Sequence, residues 1–203
     1  MGVLTEFPLS RAGVSACGRG GQGVRVLLLL LLVSASAWAE AREDLEYQVK
    51  AAFLFNFAKF VEWPAEVFKG PEDPIRICVV GEDPFGASLD DAVRGETVNG
   101  RQLTVQRTRS TSKLRDCHLV FVPRSEKGRA SGILSSLEGV GVLTVGEGDG
   151  FLTAGGIIRF VLDHNRVRFE VNLGAAQDNR LKLSSKLLSL ARTVYPQLPD
   201  QGG

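Results

Sequence analysis

The chain has 203 residues, 24 basic and 23 acidic, with a formal net charge of +1; 44% of its residues are hydrophobic and only 7% aromatic. This near-neutral balance, without blocks of like charge, lacks the concentrated basic field that a phosphate backbone requires, so nucleic acid is not an expected partner. The length admits one ordinary domain after a leader, and no repeats or low-complexity segments divide it.

Residues 1–39 read as a signal peptide cleaved after Ala39. Arg11, Arg19 and Arg25 precede the apolar run Val26 to Val33, and Ala37-Trp38-Ala39 supplies a cleavage site. The apolar stretch ends by Ala39, 14 residues at most, short of the ~20 that span a bilayer. The chain is therefore expected to be exported to the periplasm. Gly18, Gly20 and Gly23 match G-x-G-x-x-G, but they lie in the leader and no strand precedes them, so no dinucleotide site is assigned. Cleavage removes three arginines and one glutamate, leaving 164 residues with 21 basic and 22 acidic.

The next segment, Tyr47 to Pro64, holds four phenylalanines and a tryptophan within 18 residues. Its spacing is helical from Glu43 to Glu62, and Pro64 disfavours helical geometry in the residue before it. On a wheel of 100° per residue, Phe53, Phe57 and Phe60 form a core stripe with Leu54 and Val61. Phe55 projects with Gln48, Lys59 and Glu62 on the polar side. It is a candidate partner contact, joined by Trp63 just past the helix end.

Pro71 to Pro74 reads as a linker and Ile75 to Val80 as a buried strand. Gly81 to Gly86 turns into a helix reaching about Arg94, and Gln102 to Arg107 alternates as a second strand. A third strand is expected over His118 to Val122, a helix over Glu126 to Leu137, and a fourth strand over Val140 to Val145. Ile157 to Leu162 and Arg166 to Asn172 flank His164-Asn165 as an antiparallel hairpin. An amphipathic helix from Ser184 to Val194 closes the domain. The expected fold is α/β: a single domain over 40–195, with a doubly wound, mixed and mostly parallel sheet, helices on both faces and a C-terminal antiparallel hairpin. Residues 196–203 read as a disordered tail.

Two cysteines remain after cleavage, Cys78 and Cys117. An oxidising compartment favours their pairing, and a doubly wound order places their strands side by side, about 4.8 Å apart. A disulfide is the preferred reading over two buried thiols. A metal site built from Cys78, Cys117, His118 and His164 lacks the usual ligand spacings. Cys117 and His118, as strand neighbours, point apart and make a poor nucleophile–base pair. Glu82 and Asp83 stand at the carboxyl end of the first strand, where doubly wound folds bind ligands. They are candidate ligand contacts, with a turn-forming role as the alternative. The glycine-rich turn Gly146 to Gly150 lacks the lysine of a phosphate loop. No motif supports an enzyme class, and no cofactor is expected.

Seven segments together resemble the YfiR family: KAAFLFNFAKFVEWP at 50–64, VVGEDPFG at 79–86, TVNG at 97–100, Cys117-His118, GGIIRF at 155–160, RFEVN at 168–172 and LSSKLL at 183–188. The resemblance covers Tyr47 to Val194. Phe55 departs from the tyrosine of many members, and the second cysteine pair of some members is absent. The resemblance implies a non-enzymatic periplasmic regulator that restrains an inner-membrane diguanylate cyclase, lowering cyclic di-GMP and biofilm formation. It also implies relief by an outer-membrane lipoprotein and homodimer formation. Other members accompany a sensor kinase.

Overall fold

A computed structural model describes residues 42–198. The expected leader and residues 199–203 of the expected tail lie outside the described residues.

The first element, α1, is a helix over 42–60. Its fully buried positions include Ala51, Leu54, Phe57 and Ala58, followed by Val61, which is the spacing of one helical face. The helix ends two residues earlier than the proline signal predicts. Val61–Glu62 forms a short strand, β1, antiparallel to β9 (Lys182–Leu183). The Ser184 N–H donates to the Phe60 carbonyl at 2.9 Å, so pairing with a distant segment takes over from the last helical turn.

The sheet begins with β2, Ile75–Val80, a buried run with parallel neighbours on both sides. These neighbours are β4 (Arg101–Thr108) and β5 (Leu119–Val122), the latter buried throughout. Strands covered on both faces read as continuous apolar runs, which is why they were legible. Beyond β5 come β6 (Leu143–Glu147), β7 (Ile158–Asp163) and β8 (Arg166–Asn172). At the other edge, β3 (Thr97–Val98) pairs with β4 around Asn99 and Gly100, both at positive φ. The last strand is β10, Thr193–Tyr195, and the order is β10-β8-β7-β6-β5-β2-β4-β3. All central pairs are parallel. The β7–β8 hairpin is antiparallel, turning through His164 and Asn165 at positive φ as expected.

Alternation along the strands divides two cores. Ile77, Val79, Leu119, Phe121, Val145, Phe160 and Phe169 pack with α1 and with Leu89 and Val93 of α2 (Ser88–Val93). Cys78, Val80, Val120 and Val122 pack on the other face with Ile133, Leu134 and Leu137 of α3 (Ala130–Leu137). The expected α/β architecture with helices on both faces is therefore present.

Several boundaries differ from expectation. The segment Arg124–Arg129 is 3-10 rather than α-helical. The fourth strand starts at Leu143, because Gly139 and Gly141 take positive φ and a Cβ on Gly141 would lie 2.7 Å from Val67. An unexpected helix, α4 (Leu173–Asp178), is capped by Asn172, whose Oδ1 accepts from the Ala175 N–H at 3.1 Å. The expected terminal helix is only α5, Ser185–Leu190, capped by Ser184. Thr193, Val194 and Tyr195 instead extend the sheet in parallel register with β8. Leu198, within the expected tail, packs against the second core.

Cys78 and Cys117 form a disulfide with Cα atoms 6.1 Å apart. Cys117 does not open a strand: it caps the 3-10 segment Thr111–Asp116 just before β5. The bridge therefore ties β2 to the turn feeding its neighbour. It closes a 39-residue separation, for which chain entropy predicts about 4 kcal/mol of stabilisation. Intact mass after alkylation without reductant should show both cysteines unlabelled, and Cys78→Ala/Cys117→Ala should lose about 4 kcal/mol in urea unfolding. Two labelled thiols would exclude the bridge in the isolated protein.

Candidate functional site

In this topology the strand order reverses between β2 and β5, and ligands in doubly wound folds enter the crevice outside the carboxyl ends at such a point. Here that edge is occupied by the protein itself. The backbone of Gly81 runs so close to Glu126 that a Cβ would lie 2.2 Å from its carboxylate oxygen. One strand further on, Glu147 at the end of β6 is buried and meets Lys50 of α1 in an ion pair. Lys50 also pairs with Glu46 one turn earlier, and its ammonium lies 4.3 Å from the Tyr47 ring centroid. The Tyr47 hydroxyl and the Arg124 N–H donate to Glu147 Oε2 at 3.2 and 3.1 Å. Burial, and then the Glu147 charge, push the Tyr47 phenol well above its usual range, so it remains a donor. Helix α1 is thus fastened over the carboxyl edge by a satisfied polar cluster. Composition and motif did not reveal it. Its signal was Lys50 itself, which stands in phase with Leu54, Phe57 and Val61.

The aromatic helix divides differently from its wheel. Phe57 is buried, in contact with Phe160 and Phe169 at centroid distances of 5.7 and 5.0 Å. Phe53 and Phe60, expected in the core, are half-buried. They line an apolar groove of about 210 Å³ between α1 and α5, with Leu187 and Leu190 on its far wall. Phe55 lies on the opposite flank, half-buried, with Lys59 Nζ 5.1 Å from its ring centroid. Trp63 is also half-buried and faces inward: its Nε1–H donates to the His118 carbonyl at 3.0 Å, and its ring meets the His118 ring edge-on. Phe55 and Trp63 therefore do not share a surface role, since the Trp63 indole holds the helix end.

His118 is buried, stacked on Phe68, and accepts the Arg76 N–H at Nδ1. Burial, and then the Arg76 charge, lower its pKa to about 4, so it is a neutral packing group. The disulfide sits in the second core while His118 packs on the side of the first. His164 stands exposed at the hairpin tip. The four residues weighed as metal ligands do not converge.

Asp83 serves the turn: its Oδ1 accepts from the Phe85 N–H at 2.9 Å and its Oδ2 from Arg107 Nε at 2.6 Å. Glu82 is exposed. The glycine-rich turn is closed by Phe151, whose ring lies between Gly146 and Gly156. A Cβ on either would fall 2.3 Å from it, so these glycines make room for a side chain of the protein itself.

Among the described residues no helix is long and apolar enough to cross a membrane. A family model described as YfiR/HmsC-like matches residues 47–192. No curated protein matches the chain. Among solved structures, a conserved domain protein from Vibrio cholerae O1 biovar El Tor str. N16961 is similar at 10% identity and a TM-score of 0.45, over 60% of this chain and 55% of that one. The ABC domain in complex with L-Trp from Streptococcus pneumonia is similar at 11% identity and a TM-score of 0.44, over 59% and 55%. The chain spans about half the length of both.

Removing one partner of a buried ion pair leaves an uncompensated charge. Lys50→Met should therefore cost about 3–5 kcal/mol in urea unfolding, and adding Glu147→Gln should recover part of that loss. A cost below ~1 kcal/mol for the single variant would show that the cluster does not fasten α1.

Proposed function

The chain belongs to the YfiR/HmsC-like family, and on that premise we propose that it is a non-enzymatic periplasmic regulator. It binds the periplasmic sensor region of an inner-membrane diguanylate cyclase or sensor kinase and restrains or modulates its output. Export through the Arg11-to-Ala39 leader places it in that compartment. An outer-membrane lipoprotein that competes for it, and a homodimer that stores it, complete the regulatory cycle.

The observation that carries this reading is the family match over nearly the whole described domain. The geometry supports it from a second direction. The crevice at the strand reversal is filled by Glu126, the next strand end is fastened to α1 by Lys50 and Glu147, and Phe151 closes the glycine-rich turn. None of these offers a reacting group to a substrate. On the flank of α1 away from the Phe53–Phe60 groove, the half-buried ring of Phe55 lies beside Lys59, and aromatic side chains of this kind anchor protein interfaces.

The test is recovery of the target from cells. The tagged protein is crosslinked in the periplasm and its partners identified by mass spectrometry, with Phe55→Gln run in parallel and its unfolding midpoint checked. A membrane cyclase or kinase should be enriched with the native protein, and about tenfold less with the variant, as expected for a central aromatic contact. Recovery of no membrane signalling protein, under either reducing or oxidising conditions, would overturn the reading.

A further inference from the structure

The carboxyl edge is not closed along its whole length. Past the Lys50–Glu147 fastening, a cleft of about 490 Å³ opens beside the ends of β5, β6 and β7. That size falls in the range of small-molecule sites. Four cations line it: Arg124 after β5, Lys127 in the following 3-10 turn, Arg159 on β7 and Arg192 before β10. Two acids oppose them. Glu170, buried on β8, binds Arg159 Nη2 at 2.6 Å and stands 3.8 Å from Arg192. Asp149 reaches Arg159 Nη1 at 3.3 Å, and its side chain is fully exposed. Glu147 does not line the cleft, and its carboxylate is engaged by Lys50, Tyr47 and the Arg124 N–H.

Among the described residues, the side chains of Arg124 and Lys127 have no acidic partner, and both are exposed. Arg159 also keeps its Nε without an acceptor. The site therefore carries an excess of two positive charges, in a concave setting where low-dielectric walls focus the field. Glu170 holds Arg159 in place, so its guanidinium is pre-positioned rather than free to wander. An incoming anion can displace Asp149, whose hold in water is weak.

We infer that this cleft binds a small organic or inorganic polyanion, with carboxylate or phosphate oxygens held by Arg124, Lys127, Arg159 and Arg192. Guanidinium groups favour such oxygens because their N–H donors match them in pairs. The site uses neither Glu82 nor Asp83, and it is separate from the Phe55 flank. It stands independently of the partner-binding reading: the anion is an effector whose binding is measured on the isolated protein, so failure of one leaves the other intact.

Titration calorimetry on the purified protein, at constant ionic strength set with chloride, tests it with citrate and with inorganic phosphate. Vesicles containing phosphatidylglycerol form a separate arm that presents phosphate only as a lipid headgroup. Citrate or phosphate should bind the native protein with saturable heat. The double variant Arg124→Gln/Lys127→Gln should weaken that binding at least tenfold, with an unchanged unfolding midpoint, since neither side chain is in an ion pair. Arg166→Gln/Arg168→Gln, which removes two exposed arginines from the hairpin, should leave it unaltered. Absence of saturable binding by both free anions, binding to vesicles alone, or equal loss in the two double variants would overturn the proposal.

Discussion

The ion pair between Lys50 and Glu147 sets where α1 can lie, and much of the molecule follows from that position. The lysine rises from the apolar face of the helix, and its four-carbon stem packs among hydrophobic neighbours while the ammonium reaches the end of β6. Taking both charges out of water costs as much as their attraction returns, so the pair alone adds little net stability. Its consequence is positional. A helix sliding by one residue would bury Lys50 without Glu147, or Glu147 without Lys50, and either costs several kcal/mol. Tyr47 and the Arg124 N–H complete the carboxylate, which ties the helix, β6 and the turn after β5 to one point. With α1 so held, Phe57 meets Phe160 and Phe169, and Phe55 is turned to the other flank.

The central strands were readable because their chemistry is local. Ile75–Val80 and Leu119–Val122 are apolar at nearly every position, and only a strand covered on both faces suits such short runs. The disulfide was readable because two cysteines fell on segments that the doubly wound order makes neighbours. The hairpin announced itself through His164-Asn165, residues that tolerate positive φ. What escaped was decided elsewhere in the chain. Thr193–Tyr195 continues an amphipathic pattern from α5 but finds the open edge of β8, and pairing there outweighs helical periodicity. Val61 leaves the helix because Leu183 is opposite it. The Asn99-Gly100 turn carried its own signal, and the two-residue strand before it was too short to register.

The candidate site was legible in part for the same reason. The wheel placed Phe57, Leu54 and Val61 in the core, where they lie, but aromatic mass drew it on to Phe53 and Phe60, whereas the rest of the buried face is Ala51 and Ala58, small residues that let the helix approach the sheet. Lys50 sits in phase with that buried face, a position at which a charge implies a buried partner, but the partner, Glu147, lies 97 residues away in the chain. Glu82 and Asp83 stood at the expected strand end, but Arg107 from β4 engages Asp83 and makes the turn structural. The basic cleft had no sequence signature, because Arg124, Lys127, Arg159 and Arg192 come from four separate segments.

Among the described residues, two surfaces on different parts of the fold carry the functional readings: the Phe55 flank of α1 for a protein, and the cleft beside β7 for an anion. The central claim concerns the first. Its most direct measurement places a photo-crosslinking phenylalanine analogue at position 55 in cells, with the same analogue at Arg168 as the control. Arg168 is exposed on β8, and strand alternation turns it to the opposite face from Phe169, which packs with α1. The account predicts a crosslink to a membrane signalling protein from position 55 and none from position 168. Crosslinking of that protein from 168 alone, or equally from both, would contradict it.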